Sequence, residues 1–307
     1  MTSVRTVLGD IAPASLGVCD AHDHLFLSSP ALPGPQLDDP DEAMDRVAAF
    51  RALGGEAVGQ WTPFGMGRRP ADAVALSRAT GVHVIAATGL HQAVHYDPGV
   101  LRRLGSGDGL ADFFTAELTE GMVAGDDPRG ARTTARAGMI KVAGMFHGLD
   151  GHTRRVMTAA AQAHHATGAP IGVHHEMGTA AVDGFALLHG ELGVPAGSVL
   201  LGHLNRFPDA GLHRELAATG AYLGFDGPSR AHHATDAWLV DGLVALAAAG
   251  HTGRLLIGAD TTSPGAGPGA AHLLRTLRPR LERELGKAAS DAVFRANPAA
   301  AFAAPWP

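Results

Sequence analysis

AGMIKVA, residues 137–143, is a short apolar run with one lysine, Lys141, at its centre. Lysine is rare in this chain, because Lys141 and Lys287 are the only lysines among its 24 Lys and Arg residues. Burying a protonated ammonium in an apolar strand costs several kcal/mol unless the charge is paired, and desolvation lowers the pKa of the amine. The run therefore predicts a buried strand with a chemically active side chain.

Seven further apolar runs occur along the chain, and alanine-rich stretches with a helical pattern lie between them. The runs are LGVCDAH (16–22), GEAVGQW (55–61), VHVIAAT (82–88), PIGVHH (170–175), SVLLGH (198–203), AYLGFD (221–226) and RLLIGAD (254–260). Strands that alternate with helices predict a parallel sheet covered on both faces. Eight strands are the number that closes a (β/α)8 TIM barrel. An open doubly wound sheet is the alternative, but no G-x-G-x-x-G motif follows the first run. We therefore expect an α/β chain in which residues 1–307 form a single (β/α)8 barrel domain.

The composition argues against several classes of protein. The 307 residues carry a formal net charge of -6, whereas a nucleic-acid-binding domain needs a basic face. No stretch approaches the ~20 continuous apolar residues of a membrane span. The opening MTSVRTVLGD lacks the apolar core of a secretory signal. The single cysteine, Cys19, excludes an internal disulfide and is typical of a reducing compartment. We therefore expect a cytoplasmic protein that binds neither nucleic acid nor membrane.

Groups that can bind a metal stand at the ends of four predicted strands. They are His22 and His24 of the first run, His174 and His175 of the fifth, His203 of the sixth and Asp260 of the eighth. Two histidines spaced i, i+2 on a strand project to the same side, so both can reach one ion. Active sites of barrel enzymes lie at the carboxyl ends of the strands. The pattern predicts a metal site there, although an isolated H-x-H pair can also be two solvent-facing loop histidines.

Next to these metal-binding groups, Lys141 could itself become a metal ligand. A desolvated lysine loses its proton, and the neutral amine reacts with carbon dioxide to give a carbamate, an anionic ligand with two oxygens. Two divalent cations held roughly 3.5–4 Å apart would stabilise such a bridging anion. The alternative is a lysine that extends to the barrel mouth or pairs with Asp260.

The chain resembles the phosphotriesterase family of the amidohydrolase superfamily over nearly its whole length. The blocks that carry the resemblance are HDHLF, GRR, SRATGVHVIAATGL, AGMIKVA, ATGAPIGVHH, LGHLNRFPD, GAYLGFDG, IGAD and RANPAAAF. Their order and spacing are highly specific. The resemblance implies a binuclear metal-dependent hydrolase of ester-type bonds and suggests a homodimer.

The resemblance also implies a ligand set. His22, His24 and Asp260 would bind the more buried ion, and His174 and His203 the more exposed one. A carboxylated Lys141 and a hydroxide would bridge both ions, and the family register selects His174 over His175. Zinc is favoured, while manganese, cobalt and iron also suit imidazole and carboxylate ligands.

The implied reaction is attack by the bridging hydroxide on a substrate whose phosphoryl or carbonyl oxygen is polarised by the exposed ion. Asp260 would accept the proton of the hydroxide, or act as a ligand alone. A lactone or carboxylic ester is the favoured small-molecule substrate, with promiscuous phosphotriester hydrolysis. The alternatives are a phosphotriesterase (aryldialkylphosphatase) proper, a catalytically weak ligand-binding relative, and a mononuclear deaminase-like member.

The sequence departs from the family at the mouth of the predicted barrel. Phosphotriesterases that hydrolyse organophosphates resemble a GHSDD pattern after the sixth strand, where this chain has GHLNRFPD with Asn205 and Arg206, so a carboxylate relay is in doubt. The usual H-E-H is H-D-H here, which is expected to change only an outward-facing residue. The short segment TTSPGAGPGAAH after Asp260 favours a small ester over a long-chain lactone.

Four residues of predicted loops are candidate substrate contacts. Arg230 stands at or near the position where lactonase-like members carry an arginine, with a surface salt bridge as the alternative. His91, His95 and Tyr96 follow the third strand, and loops after barrel strands form the substrate pocket. Each of these three could equally be a plain polar loop residue.

Overall fold

Eight parallel strands form a nearly closed barrel in the computed structural model, which describes residues 2–105, 108–227, 234–265 and 269–307. The strands are β1 (Cys19–Asp23), β2 (Ala57–Gln60), β3 (His83–Gly89), β4 (Met139–Ala143), β5 (Ile171–His174), β6 (Val199–Leu201), β7 (Tyr222–Asp226) and β8 (Leu255–Gly258). Each strand pairs with the next one along the chain. The Asp260 amide donates to the His22 carbonyl over 2.9 Å and links the two ends of the sheet. The prediction of a single-domain (β/α)8 barrel is confirmed.

Helices cover the outside of the barrel. The α-helices of the described residues are Pro40–Ala52, Pro70–Thr80, Pro98–Leu104, Asp108–Thr119, Gly151–Thr167, Ala181–Phe185, Ala210–Ala218, Leu239–Ala248, Gly269–His272, Arg278–Leu285, Lys287–Asp291 and Asn297–Ala301. Short π-helical segments occur at Ala186–Glu191, Leu273–Leu277 and Ala292–Ala296. Short 3-10 turns lie at Pro13–Ser15, Ala93–His95, Glu176–Gly178, Ala196–Ser198, Leu204–Arg206, Ala234–Trp238 and Thr252–Arg254. No helix among the described residues combines the length and apolarity needed to cross a bilayer.

Local chemistry sets the helix ends. The carboxylate of Asp150 accepts from the Thr153 amide over 2.8 Å, and that of Asp209 accepts from the Leu212 amide over 3.0 Å. Such caps satisfy amides that have no partner within the helix. Gly168 ends the longest of these helices at φ 77°, a left-handed conformation that costs glycine little.

A small antiparallel sheet lies apart from the barrel strands and was not predicted. Its strands are Ser3–Thr6, Gly9–Ile11 and Ala303–Ala304, so it joins the two ends of the described chain. Val4 and Phe302 pack with lumen residues such as Leu16 and Met139 in one buried cluster. This sheet therefore helps to fill one end of the barrel.

The register places Lys141 between two glycines. Lys141 pairs with Gly89 of β3 and with Gly172 of β5. A Cβ at Gly172 would lie 2.6 Å from Met139 Cε and 2.8 Å from Trp61 Cη2. Only glycine fits there, and it leaves the lumen to Trp61 and the lysine side chain.

Candidate metal centre

The six sequence-predicted ligands converge at the carboxyl end of the barrel. His22 lies in β1 and His24 directly after it, Lys141 lies in β4 and His174 at the end of β5, and His203 and Asp260 lie in the turns after β6 and β8. A cavity of about 180 Å³ opens there, and all of them except His22 line it. His22 is buried and stacks on Trp61, with ring centres 3.8 Å apart.

Asp260 lies at the centre of this group. Its Oδ1 is 3.5 Å from His24 Nε2 and 3.8 Å from His22 Nε2, and its Oδ2 is 3.7 Å from His203 Nδ1. These distances are too long for strong hydrogen bonds. One ligand atom from each of His22, His203 and Asp260 lies within 4.8 Å of the other two, so the three could hold an ion.

Two buried ring nitrogens of this group lack hydrogen-bond partners. They are His22 Nε2 and His203 Nδ1. Buried polar atoms in native proteins are almost always hydrogen-bonded, so each exception needs an explanation. A cation bound between these nitrogens and Asp260 would supply the missing partner, and the donor set of imidazole and carboxylate suits a divalent transition metal.

Other side chains fix the orientation of the histidines. His22 Nδ1 lies 2.9 Å from Asp226 Oδ2, which also accepts from the His203 amide over 2.8 Å. His24 Nδ1 lies 2.7 Å from Thr62 Oγ1. Contacts to the second ring nitrogen orient a metal-binding histidine and set its tautomer. Asp226 and Thr62 were not predicted, although Asp226 ends the seventh strand and so carried the same strand-end signal as the other groups.

Asp23, between the two histidines of H-D-H, is also buried. Its Oδ1 accepts from the His24 amide over 2.9 Å and from the Thr261 amide over 2.7 Å. The carboxylate therefore ties the end of β1 to the turn that carries Asp260.

Lys141 is buried deep in the lumen, with 1% of its surface exposed. Burial lowers the pKa of its amine from 10.5 to about 8, against the opposing effect of the Asp260 and Asp226 carboxylates. Its Nζ lies 5.8 Å from the centre of the Trp61 ring. Among the described residues Lys141 forms no ion pair, so the alternatives of an exposed lysine and of a pair with Asp260 do not hold in this structure.

Burial also favours the neutral form of three of these histidines, His24, His174 and His203. It lowers the pKa of His24 to about 3 and that of His174 to about 4, and it lowers the pKa of His203 well below its usual value. Burial alone would raise the pKa of Asp260, but the Arg206 guanidinium in contact with its Oδ2 outweighs burial and holds that pKa well below its usual value. Near neutral pH the site therefore offers free imidazole lone pairs and a carboxylate anion, the forms that bind metals.

The fifth strand ends in two histidines with different surroundings. His174 lines the cavity, and its Nδ1 lies 2.9 Å from His203 Nε2. Its Nε2 lies 3.0 Å from Oε2 of Glu176, a cavity residue that was not predicted. His175 is fully buried and packs against Gly184, away from the cavity. His174 therefore faces the cavity and His175 does not.

Arg206 belongs to the segment GHLNRFPD, which lacks the relay carboxylate of the GHSDD pattern. Its guanidinium contacts Asp260 Oδ2 and lines the cavity. Asn205 points elsewhere, since its amide pairs with the backbone of Asp226 at 3.0 Å and 2.9 Å. Neither residue supplies a carboxylate, and a cation faces Asp260 instead.

The predicted substrate contacts divide into three groups. His91 and His95 line the cavity, with ring centres 4.6 Å apart. Tyr96 is buried behind the wall, where its hydroxyl accepts from the His91 amide over 2.7 Å, so it supports the wall without lining it. Arg230 lies outside the described residues.

The turns that carry His203 and Asp260 are strained. Their φ angles are 64° and 46°, in the left-handed region that is costly for residues other than glycine. Such strain persists where the surrounding structure enforces it, and it clusters at functional sites.

Comparisons with known proteins show which family model and which solved structures this chain matches. A family model described as "Phosphotriesterase family" matches residues 2–302. A phospho-furanose lactonase of Mycoplasmopsis agalactiae is 30% identical over 252 residues, which are 78% of this chain and 70% of that protein. The crystal structure of a lactonase from Listeria monocytogenes matches with a TM-score of 0.86 at 26% identity, covering 98% of both chains. A mutant of an organophosphorus hydrolase from Deinococcus radiodurans matches with a TM-score of 0.85 at 26% identity, covering 98% of this chain and 97% of that one.

Proposed function

Because this chain belongs to the phosphotriesterase family, we propose that it is a metal-dependent hydrolase of ester-type bonds that acts on lactones or carboxylic esters. Two of the similar proteins are named lactonases. A cavity of about 180 Å³ suits a small ring or a short ester. We expect phosphotriester hydrolysis as a weaker activity of the same site.

The ligand set of this proposal is the one that the family resemblance implies, and the gathering of these side chains at one end of the barrel supports it. His22, His24 and Asp260 would hold one divalent ion, His174 and His203 a second, and carboxylated Lys141 would bridge them. When bound, two such ions lower the pKa of a water molecule to give a nucleophile and polarise the oxygen of the ester. Zinc is the favoured metal, with manganese, cobalt and iron(II) as alternatives.

The chain's own groups orient this site. Asp226 fixes His22 and the backbone of His203, so the two rings keep their positions. Asp260 is a ligand and the candidate proton acceptor, and its contact with Arg206 keeps it anionic. His91 and His95 form the wall that a substrate would meet. A homodimer and a cytoplasmic location stay predictions.

One observation carries the proposal. A lysine with almost no exposed surface lies among buried histidines, two of whose ring nitrogens lack hydrogen-bond partners. A lysine ammonium at this position would be buried without an ion-pair partner among the described residues. A carbamate bound to two cations would remove that buried charge, and the cations would be partners for the histidine nitrogens.

The test is a hydrolysis panel of lactones, aryl esters and phosphotriesters on metal-reconstituted protein. Lys141→Ala is expected to lose activity and to regain part of it with added short carboxylic acids, which can replace the bridging carbamate. Lys287→Ala is the matched control, because Lys287 is exposed and its one ion pair with a described residue is with Asp291. Equal activity of wild type and Lys141→Ala would refute the bridging role.

A phosphotriesterase proper is the second candidate, favoured by the similarity to an organophosphorus hydrolase. The same panel separates the two functions. A kcat/KM higher for phosphotriesters than for every lactone and aryl ester would select this second function.

A further inference from the structure

Glu176 is a carboxylate in the wall of the cavity that the proposed function does not use. It lies in the 3-10 turn Glu176–Gly178, directly after the fifth strand and its two histidines, and 38% of its side chain is exposed. Its Oε2 lies 3.0 Å from His174 Nε2. The contact engages one ring nitrogen of a predicted metal ligand and leaves the other, Nδ1, for a second partner.

The contact also fixes the tautomer of His174. Glutamate is ionised at neutral pH, and an ionised carboxylate accepts hydrogen bonds but cannot donate them. The hydrogen of the neutral His174 ring is therefore on Nε2, from which it donates to Glu176. Nδ1 then carries the lone pair with which an imidazole binds a metal.

Nδ1 of His174 faces the other predicted ligand of the exposed ion. It lies 2.9 Å from His203 Nε2, and the two ring centres are 4.6 Å apart. Two nitrogens that bind one tetrahedral zinc at about 2.0–2.1 Å lie roughly 3.3 Å apart. A small movement of the two rings would therefore admit one ion that both of them bind.

Glu176 is itself held in place, as an orienting group must be. Gln92 Nε2 donates to the same Oε2 over 3.3 Å and to the Gly144 carbonyl over 2.8 Å, so it links Glu176 to the end of β4. The Glu176 carbonyl accepts from the Thr179 amide over 3.0 Å and from the Thr179 hydroxyl over 2.7 Å. Met177, the next residue, has a φ of 52°, a strained conformation that persists only where surrounding contacts enforce it.

The charge of Glu176 is not used in an ordinary surface salt bridge. Within the described ranges of the chain, its one ion-pair contact is with His174. Arg206 lines the same cavity, but its guanidinium contacts Asp260. A carboxylate that accepts from a histidine ring raises the basicity of the other ring nitrogen and so strengthens its bond to a metal.

We propose that Glu176 is a positioning residue for the exposed ion of the candidate centre. Its carboxylate keeps the hydrogen of His174 on Nε2, orients the ring and so presents Nδ1 to the ion. The inference rests on the proposed function, because it requires an ion bound to His174. It assigns Glu176 no contact with the substrate.

The first test is a competitive chelator titration of the metal-free protein with zinc, without substrate. Wild type is expected to bind two ions, and His174→Ala identifies the one that depends on this ring. Glu176→Ala should weaken the binding of that ion about 10- to 100-fold and leave the other unchanged, and Glu176→Gln, which keeps an acceptor oxygen without the charge, should lie between Glu176→Ala and wild type. Asp183→Ala is the matched control, because Asp183 is an exposed carboxylate of the next helix and does not line the cavity.

The outcomes separate this inference from the proposed function. Two ions bound by Glu176→Ala with unchanged affinities would overturn the inference and leave the proposed function standing. Fewer than two ions in wild type would overturn the two-ion centre and the inference with it.

The second test separates positioning from contact with the substrate, and it uses the best substrate of the hydrolysis panel. In excess zinc, Glu176→Ala is expected to recover most of its activity, because mass action refills the weakened site. A KM that stays raised in excess zinc, with both zinc affinities unchanged, would make Glu176 a substrate contact and overturn the proposal.

Discussion

The low pKa of Lys141 makes the stability of the metal-free protein depend on pH in a particular direction. Burial lowers that pKa from 10.5 to about 8. Between these two pH values the unfolded chain binds a proton that the folded chain does not. Stability rises with pH wherever the unfolded state binds more protons, so it should rise from about pH 8 to pH 10.5. At about 1.36 kcal/mol per pKa unit, the gain from this one group is ~3 kcal/mol.

The perturbation is Lys141→Met, which keeps an unbranched side chain and removes the titrating amine. Urea unfolding of chelator-treated protein in buffers free of carbon dioxide gives the free energy of unfolding at each pH. Wild type is expected to gain ~3 kcal/mol more than the variant between pH 7.5 and 10.5, since groups common to both proteins cancel. Lys287→Met should behave as wild type, because 75% of the Lys287 side chain is exposed.

Identical pH dependence in wild type and Lys141→Met would refute this reasoning. The lysine would then keep its ordinary pKa, and the amine would stay almost fully protonated at neutral pH. A pKa of about 8 leaves roughly a tenth of the amine neutral at pH 7, the form that reacts with carbon dioxide. The measurement therefore tests the chemical precondition of the bridge separately from activity.

Three further outcomes are expected from the contacts at the site. Asp226→Asn should lower metal affinity about 10- to 100-fold in a competitive chelator titration, whereas Asp241→Asn, a change at an exposed carboxylate, should leave the affinity unchanged. Equal affinity of Asp226→Asn and wild type would contradict the orienting role of Asp226. Arg206→Gln should move the acidic limb of the pH profile of kcat/KM to higher pH, because it removes a cation that lowers the pKa of Asp260. An unmoved limb would indicate that Asp260 acts as a ligand alone. Dialysis against a chelator should abolish hydrolysis, and zinc, manganese or cobalt should restore it; activity that survives complete metal removal would contradict the proposed function.

The barrel could be predicted because buried parallel strands are apolar on both faces and appear as short continuous runs. All eight runs contain a strand, and four of these strands end before their run does. The run 254–260 contains β8 only as Leu255–Gly258, since the chain turns at Asp260 into a left-handed conformation. The small sheet escaped prediction because Ser3–Thr6 pairs with Ala303–Ala304, a strand too short and too distant in sequence to give a pattern.

Except for Lys141 in the middle of β4, the predicted ligands share a feature that the sequence reveals, which is a place at or just after the end of a strand. Topology alone brings such residues together at one edge of the barrel. The groups that orient them are harder to predict. Thr62 reaches His24 only because β1 and β2 are neighbours in this register, and a threonine after a strand has no distinctive pattern.

The role of Arg206 can be inferred from its contact with Asp260 and not from the departure from the family pattern alone. In the sequence, GHLNR in place of GHSDD indicates merely that a carboxylate relay is absent. In the structure, the guanidinium contacts a carboxylate 54 residues away across the mouth of the barrel. A cation at that position makes Asp260 a weaker proton acceptor and a more permanent anion. The substitution therefore favours the ligand role of Asp260 over its role as the candidate proton acceptor, and the pH profile of Arg206→Gln distinguishes the two roles.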